Sequence, residues 1–583
     1  MSNFESFWVK VITSLIICFM TLFNLAGTGE KEEVKADVNG SLSCTDSLGR
    51  SVTSSYGESE KSVGVFYFLW HGQHDSTRII DNSKMLRENP DAILSEEAWM
   101  SAGGGNQQEF HFWGEPLLGY YSADDEWVFR KHVQMLTDAD VDFIVFDTTN
   151  GFTYSECAKK LIGVWHEYYL QGWDVPKIAY YTNSGSGNTM NRIYDEIYNN
   201  KELQEKYPEL DELWFCLDGK PMIIGNANDE VLRDDVKNYF RIKANQWPNE
   251  DKKNDGFPWM EFDRSLTYKS VYKNDGIKIM NVSVAQHSDT ICFSKTAWYG
   301  GNDRTRSWHD GKNDTSKNAL LYGYNSAEQW EFAIKMNPDI VFVTGFNEWV
   351  AQRQSVEEKS PVIFVDCADE NCSRDVEPSA GIMKDNYYLQ MVDYIAKFKG
   401  KAGKVSKGEN VTIDIDGSFS QWETDRITAV YRDYNNDIAD RSCKDFGSGF
   451  LTDTSGRNDI LKMKVCEDNE KIYFYVETAK SLTPSTDKNW MTLFVNEEII
   501  INGTSPQNGK TDIEKITAEG IEKVGEADIR YEENKIMLSV DKSLISYKDN
   551  ISFKWADNYT ENDVLSFYTK GDSAPYGRLC YSY

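Results

Sequence analysis

Val341-Phe342-Val343-Thr344-Gly345-Phe346-Asn347-Glu348-Trp349 is an apolar run of strand type that stops at an amide, a carboxylate and an indole. In parallel α/β sheets and barrels the chemistry sits just past the carboxyl ends of the strands. An acid or base, a hydroxyl binder and a ring platform side by side suit a sugar-cleaving site. Whether Glu348 belongs to such a site depends on what the other strands bring to the same end.

Val63-Gly64-Val65-Phe66-Tyr67-Phe68-Leu69-Trp70 reads as a buried strand that ends at His71. Residues 124–140 have helical spacing with acids at the start. Val141-Asp142-Phe143-Ile144-Val145-Phe146 is the next strand and ends at Asp147. A helix is expected over 154–171, a strand over 177–181 ending at Asn183, a helix over 188–206 and a strand over 221–224. A helix over 230–246, strands over 257–262 and 277–285, and a helix over 326–336 lead to the strand 340–344. About seven strands over roughly 340 residues, alternating with helices, predict an α/β fold, a (β/α)8 TIM barrel with long loops. An open doubly wound sheet is the alternative. No Gly-x-Gly-x-x-Gly follows the first strand, which argues against dinucleotide binding.

A chain of 583 residues is too long for one ordinary domain. Lys10 precedes an apolar run over 11–26 that ends in small residues and is short for a membrane span. We read 1–27 as a signal peptide, with an uncleaved anchor or a lipoprotein signal at Cys18 as alternatives. The expected order is then a polar linker over 28–60, a (β/α)8 catalytic domain over 61–402, a linker over 403–410 and a β-sandwich over 411–583. The sandwich rests on short runs at 411–417, 471–476, 491–495 and 535–540 with turn residues between them. The protein is expected to be secreted, extracellular and monomeric, with no membrane span once the signal is cleaved.

A formal net charge of −31 disfavours nucleic acid, anionic membranes and strongly polyanionic glycans as partners. Ten cysteines, Cys18 among them, are too scattered for a disulfide scaffold, although Cys367 and Cys372 are close enough in sequence to close a small loop. Aromatic residues make up 13% of the chain and serve either a large core or stacking surfaces for sugar rings.

Trp70, His71, Asp147, Asn183, Asn226, Glu261, Gln286, His287, Asn347, Glu348 and Trp349 lie just past expected strands and would converge on one barrel face. Glycoside cleavage usually takes two carboxyl groups whose pKa values the surroundings set apart. Glu348 is the first candidate and Asp147 the second; pairing with Arg353 or Arg304, or capping of a turn, are the structural alternatives. Glu261 and Glu115 follow. Glu115 and Tyr120 lie in an aromatic loop, 111–121, placed to wall a sugar subsite. Trp70, His71, Asn183, His287, Asn347 and Trp349 complete the expected substrate contacts. The reading needs no cofactor or metal for catalysis.

The stretch 341–349 resembles the Asn-Glu-Trp strand end of the endo-α-mannosidase group, glycoside hydrolase family 99, and its barrel relatives. Phe112-Trp113-Gly114-Glu115-Pro116, Phe146-Asp147-Thr148-Thr149-Asn150 and Ser373-Arg374-Asp375-Val376-Glu377-Pro378 resemble motifs of secreted proteins of that kind. The likeness spans roughly 63–400 and implies a base at Glu348. It also implies an acid three residues on, where this chain has Ala351. Either another carboxyl (Asp147, Glu261 or Glu115) takes that role, or the mechanism differs, or hydrolysis is lost. Ile415-Asp416-Gly417-Ser418-Phe419-Ser420-Gln421-Trp422 and the run 567–578 resemble carbohydrate-binding module family 9. That implies stacking aromatics, with Trp490 and Trp555 either such faces or core, and in some such modules a structural calcium, for which Asp453, Asp459 and Asp557 are the oxygen donors or else solvated loop acids. The reading is a secreted glycoside hydrolase of poly- or oligosaccharides; a non-catalytic carbohydrate-binding protein with a degenerate barrel is the alternative.

Overall fold

The structure, a computed structural model, describes residues 40–583 apart from 56, 75–77, 249, 261–271, 275–276, 287–293, 295–296, 301–302, 355–356, 358, 401–402 and 404. Glu261, His287 and the expected signal peptide lie outside the described residues.

Strands that are apolar at nearly every position have both faces buried. Ser62–Tyr67 (β1), Phe143–Thr148 (β2), Lys177–Thr182 (β3), Lys220–Gly225 (β4), Arg241–Gln246 (β5), Gly256–Pro258 (β6), Ile277–Ser283 (β7) and Ile340–Thr344 (β8) are parallel neighbours in the order β6-β5-β4-β3-β2-β1-β8-β7. β6 and β7 come together across the remaining gap, which nearly closes the barrel. Val63, Val65, Ile144, Phe146, Ile178 and Tyr180 face outward onto helix residues such as Met135, Leu136 and Leu161. Phe66, Val145, Ala179, Tyr181, Ile224 and Phe342 fill the inside. The barrel is therefore a packed core, with Phe66 5.6 Å from both Tyr181 and Phe342 between ring centroids. Truncating one of these rings to Ala costs about 3–5 kcal/mol. Gly64 is required in β1, because a Cβ there would lie 2.3 Å from the Phe143 ring.

The crossover helices are Glu126–Asp138 (α1), Ser155–Leu170 (α2), Ser186–Ile193 (α3), Asp234–Tyr239 (α4) and Tyr324–Met336 (α5), with Asn386–Lys399 (α6) after β8. Asp125 caps α1 by accepting from Trp127 N at 3.1 Å. Gly400, at φ 71°, ends α6 in the left-handed conformation that stops a helix.

The helix expected over 230–246 is half wrong: only α4 is helical, and Arg241–Gln246 is β5. The polar run Arg-Ile-Lys-Ala-Asn-Gln has little strand character of its own. Pairing with β4 and β6 overrides propensity here. Lys243, 1% exposed within this strand, is satisfied by Asp255 Oδ1 at 2.6 Å.

The C-terminal part is all-β. One antiparallel sheet of eleven strands curls over on itself, so that Ile460 N on one strand donates to Asp572 Oδ2 on the last of its path at 2.7 Å. Ile472, Phe474 and Val476 face one core. Tyr473 and Tyr475 face another, closed by Ile413 and Trp422. The expected strand over 411–417 is instead irregular chain that lays Trp422 onto the sheet. Trp490 and Trp555, 1% and 0% exposed, are core residues and not stacking faces.

Residues 40–55 are no free linker. Ser43–Thr45 and Ser51–Thr53 form a hairpin that pairs with Cys580 near the C-terminus. The all-β domain packs on the helical side of the barrel through buried polar contacts. Arg441 Nη2 lies 2.8 Å from Asp125 Oδ2, and Arg578 Nε 2.8 Å from Asp385 Oδ2. Trp173 stacks on Tyr434 at 3.9 Å. No helix among the described residues is long and apolar enough to cross a membrane.

Candidate active site

A cleft of about 400 Å³ opens at the carboxyl end of the barrel strands. It is lined by Trp70, His74, Phe110, Asp147, Asn150, Phe152, Glu348, Val350, Ala351, Gln352, Val365 and Asp366. β1, β2 and β8 deliver Trp70, Asp147 and Glu348 from three different strand ends. Val350–Gln352 pairs with Phe110–Phe112 to form one wall.

Glu348 is 7% exposed. Arg374 Nη2 donates to its Oε2 at 2.7 Å, and Nη1 of the same guanidinium donates to Asp366 Oδ1 at 3.0 Å. Glu348 N donates to Asp375 Oδ1 at 2.6 Å, and Trp113 Nε1 donates to Glu348 O at 2.9 Å, so its backbone is held on both sides. Burial pushes the Glu348 carboxyl up; Arg374 opposes this, while Asp366, Asp375 and Asp147 add to it. Burial raises Asp375 as well.

Among the described residues no cation lies at hydrogen-bond distance from Asp147; its Oδ1 accepts from Thr149 N at 2.9 Å. Burial pushes its pKa up to about 6, with Asp366 adding and Thr149 and Arg374 opposing. One guanidinium thus faces Glu348, Asp366, Asp375 and Asp147. Carboxyls gathered around one guanidinium repel one another's charge, and one outside hydrogen-bond reach of the cation gains least from ionising.

The other expected site residues divide. Asn347 is 1% exposed and occupied with β1: its Oδ1 accepts from Phe68 N at 2.8 Å. Trp349 is fully buried, stacked 4.2 Å from Trp113, and donates to Glu377 Oε2. His71 is fully buried, accepts from Trp349 N at 3.3 Å, and burial holds its pKa down to about 3. These three brace the floor beneath Glu348. The aromatic surfaces that do reach the cleft are Trp70, Phe110 and Phe152, the last 54% exposed. Asn183 sits beyond the cleft lining, its Oδ1 accepting from Asn245 Nδ2 and Trp247 Nε1. Glu115 and Tyr120 lie outside that lining too, where the Tyr120 hydroxyl donates to Asp81 Oδ2 at 2.9 Å.

Cys367 and Cys372 are free and buried, not paired. Cys367 Sγ lies 3.5 Å from Glu348 Oε2 and 3.6 Å from Asp375 Oδ2. Asp366, Arg374, Asp375 and His74 carry no role in the reading of the sequence. The motif at 373–378 is the signal in the sequence for Arg374 and Asp375.

No protein-family model matches the chain, and no curated protein matches it. Among solved structures, it is similar to the GH99 endo-alpha-mannosidase from Bacteroides thetaiotaomicron. That likeness has 13% identity and a TM-score of 0.34, over 58% of this chain and 97% of that one. A complex of the GH99 endo-alpha-mannosidase from the same organism with bis-tris-propane gives 16% identity and a TM-score of 0.34, over 59% and 98%. Likeness at this level carries no functional argument; the barrel stands on its own strand order.

Proposed function

We propose that the protein is a glycoside hydrolase acting on an oligo- or polysaccharide, with Glu348 and Asp147 as its working carboxyls. The observation that carries this reading is that both acids line one cleft together with the rings of Trp70, Phe110 and Phe152. Glycosidic cleavage needs a proton donor for the departing oxygen and a carboxylate for the other half of the reaction. Asp147, raised by burial to about 6 and free of a contacting cation, suits the donor. Glu348, whose charge Arg374 supports at 2.7 Å against the burial that raises it, suits the base or nucleophile. The rings offer apolar faces to sugar, and Asn150, Gln352 and His74 offer polar groups to hydroxyls. Export through a signal over 1–27 belongs to the same reading; N-terminal sequencing of the mature protein checks it.

The test is turnover of a panel of glycans followed by Glu348→Gln and Asp147→Asn on any that respond. Loss of about 10²-fold or more in kcat is expected for each; unchanged turnover in Glu348→Gln sinks the assignment. A non-catalytic binding protein is the second reading. It is favoured by Ala351, which lines the cleft where the family resemblance places an acid. Glycan binding with no cleaved product would select it.

A further inference from the structure

Away from the cleft, a second group of buried acids lies at the seam between the all-β domain and the barrel. One carboxylate oxygen each from Asp437, Asp459 and Asp572 lie within 4.8 Å of one another. Asp437 and Asp572 are 1% and 2% exposed. Asp459 uses one oxygen to accept from Asn436 N at 2.9 Å, and Asp572 uses one to accept from Ile460 N at 2.7 Å. Among the described residues the second oxygen of each is buried without a hydrogen-bond partner, and so are both oxygens of Asp437. Asp433, 4% exposed, adds two more such oxygens beside them.

Buried carboxylate oxygens without a partner destabilise a fold unless a proton or a cation satisfies them. The cations facing the group are few. Lys131 Nζ on α1 stands 3.9 Å from Asp437 Oδ2 and donates to Asp437 O at 2.9 Å. Lys554 faces Asp433 and Asp138 but donates to Pro575 O. Lys480 faces Asp459, and Arg130 pairs with Glu167. Four carboxyls, Asp433, Asp437, Asp459 and Asp572, thus meet three ammonium groups, Lys131, Lys480 and Lys554. Every open donor is a hard oxygen, with no thiolate or imidazole, which selects calcium or magnesium over zinc or copper. A span of up to 4.8 Å equals two Ca–O bonds of ~2.4 Å.

We propose that Asp437, Asp459 and Asp572 form a calcium-binding site that ties the all-β domain to the barrel. The ion joins the loop carrying Asp437 to the strand beginning at Ile460 and to the strand Asp572–Ala574. The same loop is anchored to α1 by Lys131, and by Tyr434, whose hydroxyl donates to Asp138 Oδ1 at 3.0 Å. Calcium bound there holds the seam as well as the sheet. Of the acids expected to hold calcium, only Asp459 takes part. Asp453 pairs with Lys570, and Asp557 with Arg457, Asn458 and Met491 N.

The experiment uses the full chain, stripped with EDTA and dialysed at pH 7.5. Calorimetric titration with CaCl2, and in parallel with MgCl2, is combined with thermal unfolding. One calcium per chain, preferred over magnesium, and a rise in Tm of several degrees are expected. Asp459→Asn, at the least buried of the three positions, should weaken calcium binding at least tenfold while the folded circular dichroism spectrum persists. No binding and no Tm shift at millimolar calcium overturns the site, as does undiminished binding in Asp459→Asn. If that variant does not fold, terbium luminescence of the natural chain decides. A single calcium-displaceable ion sensitised by Tyr434 and Trp173 supports the site, and its absence overturns it.

Discussion

Two groups of buried carboxyls in this molecule differ in what surrounds them. At the barrel mouth, Glu348 and Asp366 share Arg374, and Asp147 beside them lines an open cleft. At the domain seam, Asp437, Asp459 and Asp572 share no guanidinium, and their free oxygens are closed off from solvent. Acids kept for chemistry need substrate access and a local charge balance that leaves one proton to give. Acids kept for structure need only something that fills the space between them. The two groups thus differ in solvent access and in the positive charge set against them.

The largest effect that tests this contrast is on turnover. Glu348→Gln should lower kcat by about 10²–10⁴-fold on a responsive glycan with the fold intact. Near-normal kcat would make Glu348 a structural partner of Arg374 and erase the contrast.

Next in size is the seam itself. Arg441→Ala leaves Asp125, 2% exposed, without its guanidinium and should cost about 3–5 kcal/mol in denaturant unfolding. A loss below about 1 kcal/mol would show that the two domains do not depend on this buried ion pair.

Asp147 gives a smaller effect of opposite sign. Its folded pKa, about 6, lies above the ordinary carboxylate value, so the folded state binds more protons than the unfolded state between the two. Asp147 therefore weakens the fold increasingly as pH rises through about 4 to 6. Asp147→Asn should stabilise the protein at pH 8 by about 1–3 kcal/mol, while turnover falls and the activity limb near pH 6 disappears. A variant that is both inactive and destabilised would point to a structural role.

Smallest is Phe152→Ala. With 54% of the residue exposed, its loss should leave Tm within about a degree. It should raise KM several-fold through the lost ring face. An unchanged KM would take Phe152 out of the sugar-contacting surface.

Much of the barrel was legible. β1, β2, β3, β4 and β8 are apolar on both faces, a pattern visible locally, and the end of α6 at Gly400 carried its own signal. β5 was not legible, because Arg241, Lys243 and Asn245 owe their strand conformation to neighbours on either side. In the site, the strand-end rule brought out Asp147, Glu348 and Trp70. It also brought out Asn347, His71 and Trp349, which the fold uses to brace the floor, since position past a strand does not say which way a side chain is spent. Arg374 and Asp366 come from the loop after β8, where no periodicity marks function.

The sequence by itself determined the alternation of apolar strands with helices, and so the barrel and the acids at its strand ends. Burial on two faces is written residue by residue, which is why it can be read that way. Only the tertiary structure decided which carboxyls meet a cation, which rings reach the cleft, and that Asp437, Asp459 and Asp572 converge. Those properties depend on charge, solvent access and distance between segments far apart in the chain, and they exist only once the chain has closed on itself.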